Sequence, residues 1–184
     1  NAWDYAQTRF TDPAIHWYYL PITAGYDDMD NLSAYRGSFS HTIWGPSNSA
    51  PAGAMSPMWD PALLILLAAL DKSGERLESV LRVRLGMCTR TPEPIVHSPH
   101  IDQGVEHRTG IFYPLDSDGD TVLYSERAEY GSPDRPESYT REWSHKPTAN
   151  TWFSFDGARY HSSTSPAAHD TRLVLTYNYT VLKS

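Results

Sequence analysis

Between Val80 and Met87 the chain alternates, with apolar Leu81, Val83, Leu85 and Met87 flanking charged Arg82 and Arg84. Successive side chains of a strand point to opposite faces, so this period of two predicts a half-buried strand. Strand-like runs recur at 17–20, 39–44, 109–113, 121–124, 151–155 and 172–179, and the turn residues of 116–120 separate two of them. One helix interrupts the series. Asp60 suits an N-cap and Pro61 the first helical position, while Lys72 and Gly74 mark a stop. Residues 63–70 are apolar nearly all round, which predicts a helix buried against a sheet. Many short strands with few helices predict a mainly-β antiparallel sandwich or small barrel, helices on one face. With 184 residues the expectation is one domain spanning 1–184: strands, loops and a helix over 1–79, then a β core over 80–184.

The polar segment 125–150, rich in Glu, Arg, Pro and Ser, reads as a long loop. Loops of that length in a compact domain are functional or disordered. Tyr130, Tyr139 and Trp143 give this one rigid contact surface, so it is expected to lie over a binding site and help select substrate. Residues 45–57, rich in Pro, Gly, Ser and Ala, read as an ordered loop.

Charge and cysteine usage exclude several classes. The formal charge is −7, with 15 Lys+Arg and no basic stripe, which weighs against a nucleic-acid partner. The longest apolar run, 61–70, is far shorter than the roughly 20 residues that span a bilayer. Cys88 is the one cysteine, so no internal disulfide forms; in its apolar stretch it reads as a small core residue. No signal peptide is visible, and a cytoplasmic location follows as the expectation, although the chain begins at Asn1 rather than Met.

His100-Ile101-Asp102 is a His-x-Asp pair whose two side chains share a face if the segment is extended. His161 supplies a third ligand after the run 151–155 and the turn at Asp156-Gly157. Two imidazoles and a carboxylate on one face leave open positions, the arrangement of non-haem iron(II) oxygenases. With eight histidines and 22 acidic residues in 184, chance alone gives about one His-x-acid pair, so the pair needs support. Arg172, eleven residues after His161, provides it: an arginine there can clamp a carboxylate in two parallel charge-assisted bonds.

The order His100-x-Asp102, His161, Arg172 resembles the 2-oxoglutarate/iron(II) dioxygenase superfamily. Arg108-Thr-Gly-Ile-Phe-Tyr113-Pro-Leu-Asp116, followed by Asp118-Gly-Asp-Thr121, looks like its prolyl-4-hydroxylase-like pattern. Ser117-Asp-Gly-Asp-Thr121 and Phe155-Asp-Gly157 with His161 look most like oxygenases carried by marine bacteriophages. The resemblance covers roughly 80–180. It implies a double-stranded β-helix (a jelly-roll, cupin-like) with helices on its outer face. It also implies iron(II) on His100, Asp102 and His161, and a 2-oxoglutarate carboxylate on Arg172 with Tyr113 beside it. The reaction it implies uses O2, converts 2-oxoglutarate to succinate and hydroxylates a C–H bond of a peptide, protein side chain or small metabolite. A host setting follows, the cytoplasm of a bacterium or phage-infected cell. Two departures bear on how the co-substrate is seated: Val174 stands where many relatives carry Ser or Thr, and Asp118-Gly119-Asp120 where they often carry two glycines.

The remaining candidates divide simply. Arg84 is a candidate substrate contact, with a solvated or ion-paired strand face as the alternative for it and for Arg82. His97 reads as a loop residue, His107 as solvent-exposed or as a support to the metal ligands, His145 and His169 as solvated, His16 and His41 as structural. Residues 116–120 have the wrong spacing for a calcium loop, because Gly119 is fourth rather than sixth. The competing function is a cupin-like jelly-roll that binds metal without oxygenase chemistry; a carboxylate clamp at Arg172 and Tyr113 argues against it. The oligomeric state is not legible in the sequence.

Overall fold

The computed structural model describes residues 2–21, 37–45 and 55–183. Helix α1 (Ala2–Phe10) is followed by β1 (Tyr18–Leu20), β2 (Ser38–Trp44), α2 (Trp59–Ser73) and the long β3 (Leu77–Thr89). Then come β4 (Arg108–Tyr113), β5 (Thr121–Arg127), β6 (Arg141–His145), β7 (Thr151–Asp156), β8 (Arg159–Ser163) and β9 (Thr171–Val181). All pairings are antiparallel. One sheet runs β1-β2-β3-β9-β4-β7, the other β6-β5-β8.

The period of two positions the site. On β3, Val83 and Leu85 join the main core with Leu66 and Leu70 of α2, while Arg84, Gly86 and Cys88 line a cleft on the opposite face. On β9, Leu173, Leu175, Tyr177 and Tyr179 face the helices; Arg172, Val174 and Thr176 face the cleft. The Tyr177 hydroxyl donates to the Ala62 carbonyl of α2 at 3.1 Å, which ties sheet to helix. A second cluster of Ile111, Tyr113, Leu123, Phe155 and Val174 fills the space between the sheets.

Several expectations need correction. Of the two readings of the arginine face of β3, Arg84 takes the pocket-lining one and Arg82 the ion-paired one, because the apolar face is taken by the helices. Helix α1 was not anticipated. Its Ala6 and Phe10 are buried, but nine residues carry too few apolar positions for a clear helical stripe. Helix α2 starts two residues early, with Met58 as N-cap and no side-chain cap bond. Its end is as expected: Gly74 is left-handed (φ 71°) and the amides of Gly74 and Glu75 bond the carbonyls of Asp71 and Leu70. The helix is not buried all round, since Leu64 and Leu67 are exposed.

The segment 125–150 is not one long loop. Its start continues β5 and its centre forms β6, which pairs back through Leu123↔Trp143 and Thr121↔His145. Alternation is weak in Arg141–His145, where three charged or polar residues precede the histidine, so the strand left no period-two signal. The loop expected over 45–57 lies mostly outside the described residues.

Candidate metal centre and carboxylate pocket

His100 and His161 are far apart in sequence but directly opposed in space. Each donates its backbone N–H to the other's carbonyl, at 2.9 and 3.0 Å. Opposed residues of an antiparallel pair project to the same side, and the two rings lie 4.5 Å apart. His100 therefore sits in an isolated bridge beside β8 rather than in a strand of its own. Asp102 completes the group: its carboxylate oxygens lie 4.0 Å from His100 Nε2 and 3.7 Å from His161 Nε2. Ligand atoms of all three fall within 4.8 Å of one another.

The donor chemistry suits a divalent transition metal. Nδ1 of His100 faces the Ser98 carbonyl (3.1 Å) and Nδ1 of His161 faces the Arg159 carbonyl (3.3 Å). A carbonyl only accepts, so Nδ1 carries the proton and Nε2 presents its lone pair to an ion. Asp102 is anchored from behind: Arg82 Nη2 donates to Oδ1 at 2.8 Å and Asn178 Nδ2 donates to Oδ2 at 2.9 Å. Arg82 Nε in turn bonds Asn178 Oδ1 at 3.0 Å. Two of the carboxylate's roughly four acceptor sites remain for the histidine side.

Titration follows from burial and charge. Burial alone would raise the Asp102 pKa, but Arg82 and then the two imidazoles outweigh it and hold the carboxyl well below the usual range. Burial, then the neighbouring His100, lowers His161 to about 4. Burial also lowers His100, against the pull of Asp102. Both rings are thus neutral and ready for metal at pH 7. An unfolded histidine protonates near pH 6.5. Between about pH 6.5 and 4 the unfolded state binds the extra proton, so stability of the metal-free protein falls as pH falls. The slope reaches about 1.4 kcal/mol per pH unit for His161. Urea unfolding at pH 7 and 4.5 should show that loss, and its absence in His161→Phe would assign it; equal stability at both pH values would refute it.

Arg172 lies at the other end of the same cleft, 3% exposed. Nε donates to the Gly119 carbonyl at 2.7 Å and Nη2 to Thr121 Oγ1 at 2.6 Å. The Tyr113 ring centroid is 5.8 Å from Cζ, and the Tyr113 hydroxyl is 2.5 Å from Thr121 Oγ1. Two of the guanidinium's five N–H groups fix it to β5 and its preceding turn, and its face is turned to the cleft that it lines. The 116–120 turn is a structural device: Asp118 accepts the backbone N–H of Ala167, Ala168 and His169, plus His169 Nδ1. A Cβ on Gly119 would lie 2.4 Å from the Thr164 carbonyl and 2.8 Å from Arg172 Cδ. Gly119→Ala should therefore destabilise the fold by about 1–3 kcal/mol, read as a lower melting temperature, and shift Arg172. An unchanged melting temperature would show the turn to be pliable.

The cleft encloses about 600 Å3, part of it open to solvent, and is lined by all three candidate ligands together with Arg84, Thr121 and Arg172. Its wall also includes Leu20, Ser38, Phe39 and Ser40 of β1 and β2, which the sequence reading did not single out. Cys88 is buried as expected, but at the cleft lining rather than in an apolar core. Tyr130, Tyr139 and Trp143 do not line the cleft. Tyr139 packs on Tyr124 and Tyr160, and Tyr130 lies 6.0 Å from the His107 ring. Trp143 stacks on His145, which stacks on Tyr113. His97 and His107 are loop residues, but neither they nor His145 are solvated. His97 and His107 are buried, and His145 is on β6, half-buried. His169 pairs with Asp118.

No protein-family model matches the chain, and no curated protein matches it either. Solved structures do. A 2OG-Fe(II) oxygenase family oxidoreductase from Burkholderia pseudomallei superposes with a TM-score of 0.59 at 15% identity, over 96% of this chain and 76% of that one. A prolyl hydroxylase from Trichoplax adhaerens, solved with a hypoxia inducible factor peptide fragment, gives 0.53 at 12%, over 97% and 76%. The epimerase SnoN, solved with Fe3+, alpha ketoglutarate and nogalamycin RO, gives 0.51 at 12%, over 97% and 83%. No helix of the described residues is long and apolar enough to cross a membrane. At these identities the likeness establishes architecture: the chain has the double-stranded β-helix fold of the 2OG-Fe(II) oxygenases.

Proposed function

We propose that the chain, acting as one domain over 1–184, is an iron(II)- and 2-oxoglutarate-dependent dioxygenase that hydroxylates a C–H bond. The observation that carries this reading is that one cleft holds both the His100, Asp102, His161 group and the buried Arg172. A metal-binding cupin without oxygenase chemistry has no use for a guanidinium clamped at a fixed distance from its metal. His100, Asp102 and His161 would hold iron(II), which when bound would activate dioxygen, while two electrons come from oxidising 2-oxoglutarate to succinate and CO2 and two from the substrate. Arg172, held by Gly119 and Thr121, would orient the distal carboxylate of 2-oxoglutarate, with the Tyr113 and Thr121 hydroxyls alongside. Ile111 and Val174 line the path between and keep it dry. Val174 donates nothing, so Thr121 stands in for the hydroxyl that relatives carry at that position.

The prolyl hydroxylase neighbour has a peptide bound, which supports a peptide or small molecule as the class of substrate. The phage-oxygenase likeness of 117–121 and 155–161, and the bacterial or phage-infected cytoplasm it suggests, belong to this proposal too. The test is succinate release from 2-oxoglutarate by the iron-loaded protein, screened over peptide and metabolite pools. Stimulation by one pool is expected. Metal binding with no O2-dependent succinate from any pool would favour the cupin reading.

A further inference from the structure

Arg84 has no part in the chemistry above, yet it reaches into the same cleft. It lies on β3 opposite Thr42 of β2 and Thr176 of β9. Its Nε is buried and donates to nothing among the described residues. Among the described residues no hydrogen bond or ion pair joins it to the nearby carboxylate, Asp102, which Arg82 and Asn178 hold instead. Burial first, and then the neighbouring Arg82, weaken its hold on its proton. A cation kept in this state is a loss to the fold unless something else uses it.

The charges at the cleft point the same way. Arg82, Arg84 and Arg172 face the single carboxylate Asp102. A divalent metal and dianionic 2-oxoglutarate would cancel each other, so two positive charges remain with no partner. Arg172 lies on β9 opposite Cys88, four residues along β3 from Arg84, so one carboxylate cannot be the object of both. Ser40, opposite Gly86 two residues along β3 from Arg84, adds a hydroxyl to the cleft wall, as does Thr176 opposite Arg84 itself. A planar fork with flanking hydroxyls fits a carboxylate held by two parallel bonds.

We propose that Arg84 receives a carboxylate of the substrate to be oxidised, which makes that substrate a carboxylate-bearing molecule. This rests on the oxygenase reading and narrows it from any peptide or metabolite to those that carry a carboxylate.

The test uses the full chain loaded with Mn(II) and saturated with 2-oxoglutarate, and acetate as the probe, with acetamide as its uncharged counterpart. Acetate should raise the melting temperature and acetamide should not. In Arg84→Gln the acetate affinity should fall at least about tenfold, the loss of one charge-assisted contact, while 2-oxoglutarate affinity stays within about twofold. The metal-free variant should be at least as stable as the parent, because an unpartnered cation has been removed. Three results overturn the proposal: acetate binding that survives in Arg84→Gln, a tenfold loss of 2-oxoglutarate affinity, or a variant that no longer folds, which makes Arg84 structural. Arg84→Lys guards the second result; it keeps the charge but not the fork, and should weaken acetate and spare 2-oxoglutarate. A parent protein that binds 2-oxoglutarate but not acetate sinks this proposal alone. One that binds no 2-oxoglutarate with metal present sinks the oxygenase reading beneath it.

Discussion

Replacing Asp102 with alanine should lower affinity for Mn(II) or Fe(II) by more than about a hundredfold. Partners that only orient a metal ligand are worth 10–100-fold, and Asp102 is itself the anionic ligand of the three. The same change should also weaken the fold. It strips the acceptor from Arg82, whose side chain is 16% exposed, and removing one partner of a buried pair costs about 3–5 kcal/mol. The two effects can be separated with His161→Ala. That variant keeps the Arg82–Asp102 bond and gives up one Nδ1 contact to the Arg159 carbonyl, so it should lose metal with a much smaller drop in melting temperature. Metal titrations and thermal unfolding on the pair check both. If Asp102→Ala binds Mn(II) as the parent does, the centre is misassigned.

Arg172→Ala should lower affinity for 2-oxoglutarate by about a hundredfold and leave metal affinity near the parent's. Each bond to a charged group contributes about 1.5–3 kcal/mol, and a guanidinium gripping a carboxylate makes two. The variant also frees the Gly119 carbonyl and Thr121 Oγ1, so a modest stability loss accompanies it. Arg172→Lys restores a charge but not the bond to the Gly119 carbonyl that aims the fork, and should recover only part of the affinity. Calorimetric titration of 2-oxoglutarate into the Mn(II) protein reads the difference. Equal affinity in parent and Arg172→Ala would move the clamp to Arg84.

The candidate residues of the centre were legible in the sequence through their order along the chain more than through any one local pattern. His100 and Asp102 are two apart, and Arg172 opens the strongest C-terminal strand. What joins them was not legible. His161 meets His100 through a backbone bridge between segments that carry no shared periodicity. The period-two rule found β3 and β9 but could not say which face met the helices. The charged side of β3 therefore stayed open between a pocket lining and a solvated or ion-paired face. Arg82 and Asn178, which hold Asp102, are 96 residues apart and leave no trace in spacing. The aromatic residues of 125–150 suggested a lid, but β6 pairs back on β5 and carries Tyr139 into a cluster of its own. The cleft wall comes instead from β1 and β2, a region in which the sequence offered only strand-like runs.

The most direct test of the account is whether 2-oxoglutarate binding requires the metal. Titration without oxygen should show tight binding to the Mn(II)- or Fe(II)-loaded protein, binding at least about tenfold weaker to the metal-free protein, and loss in both His161→Ala and Arg172→Ala. A protein that binds metal but takes up no 2-oxoglutarate, or binds it equally with and without metal, would contradict the joint use of the two ends of the cleft.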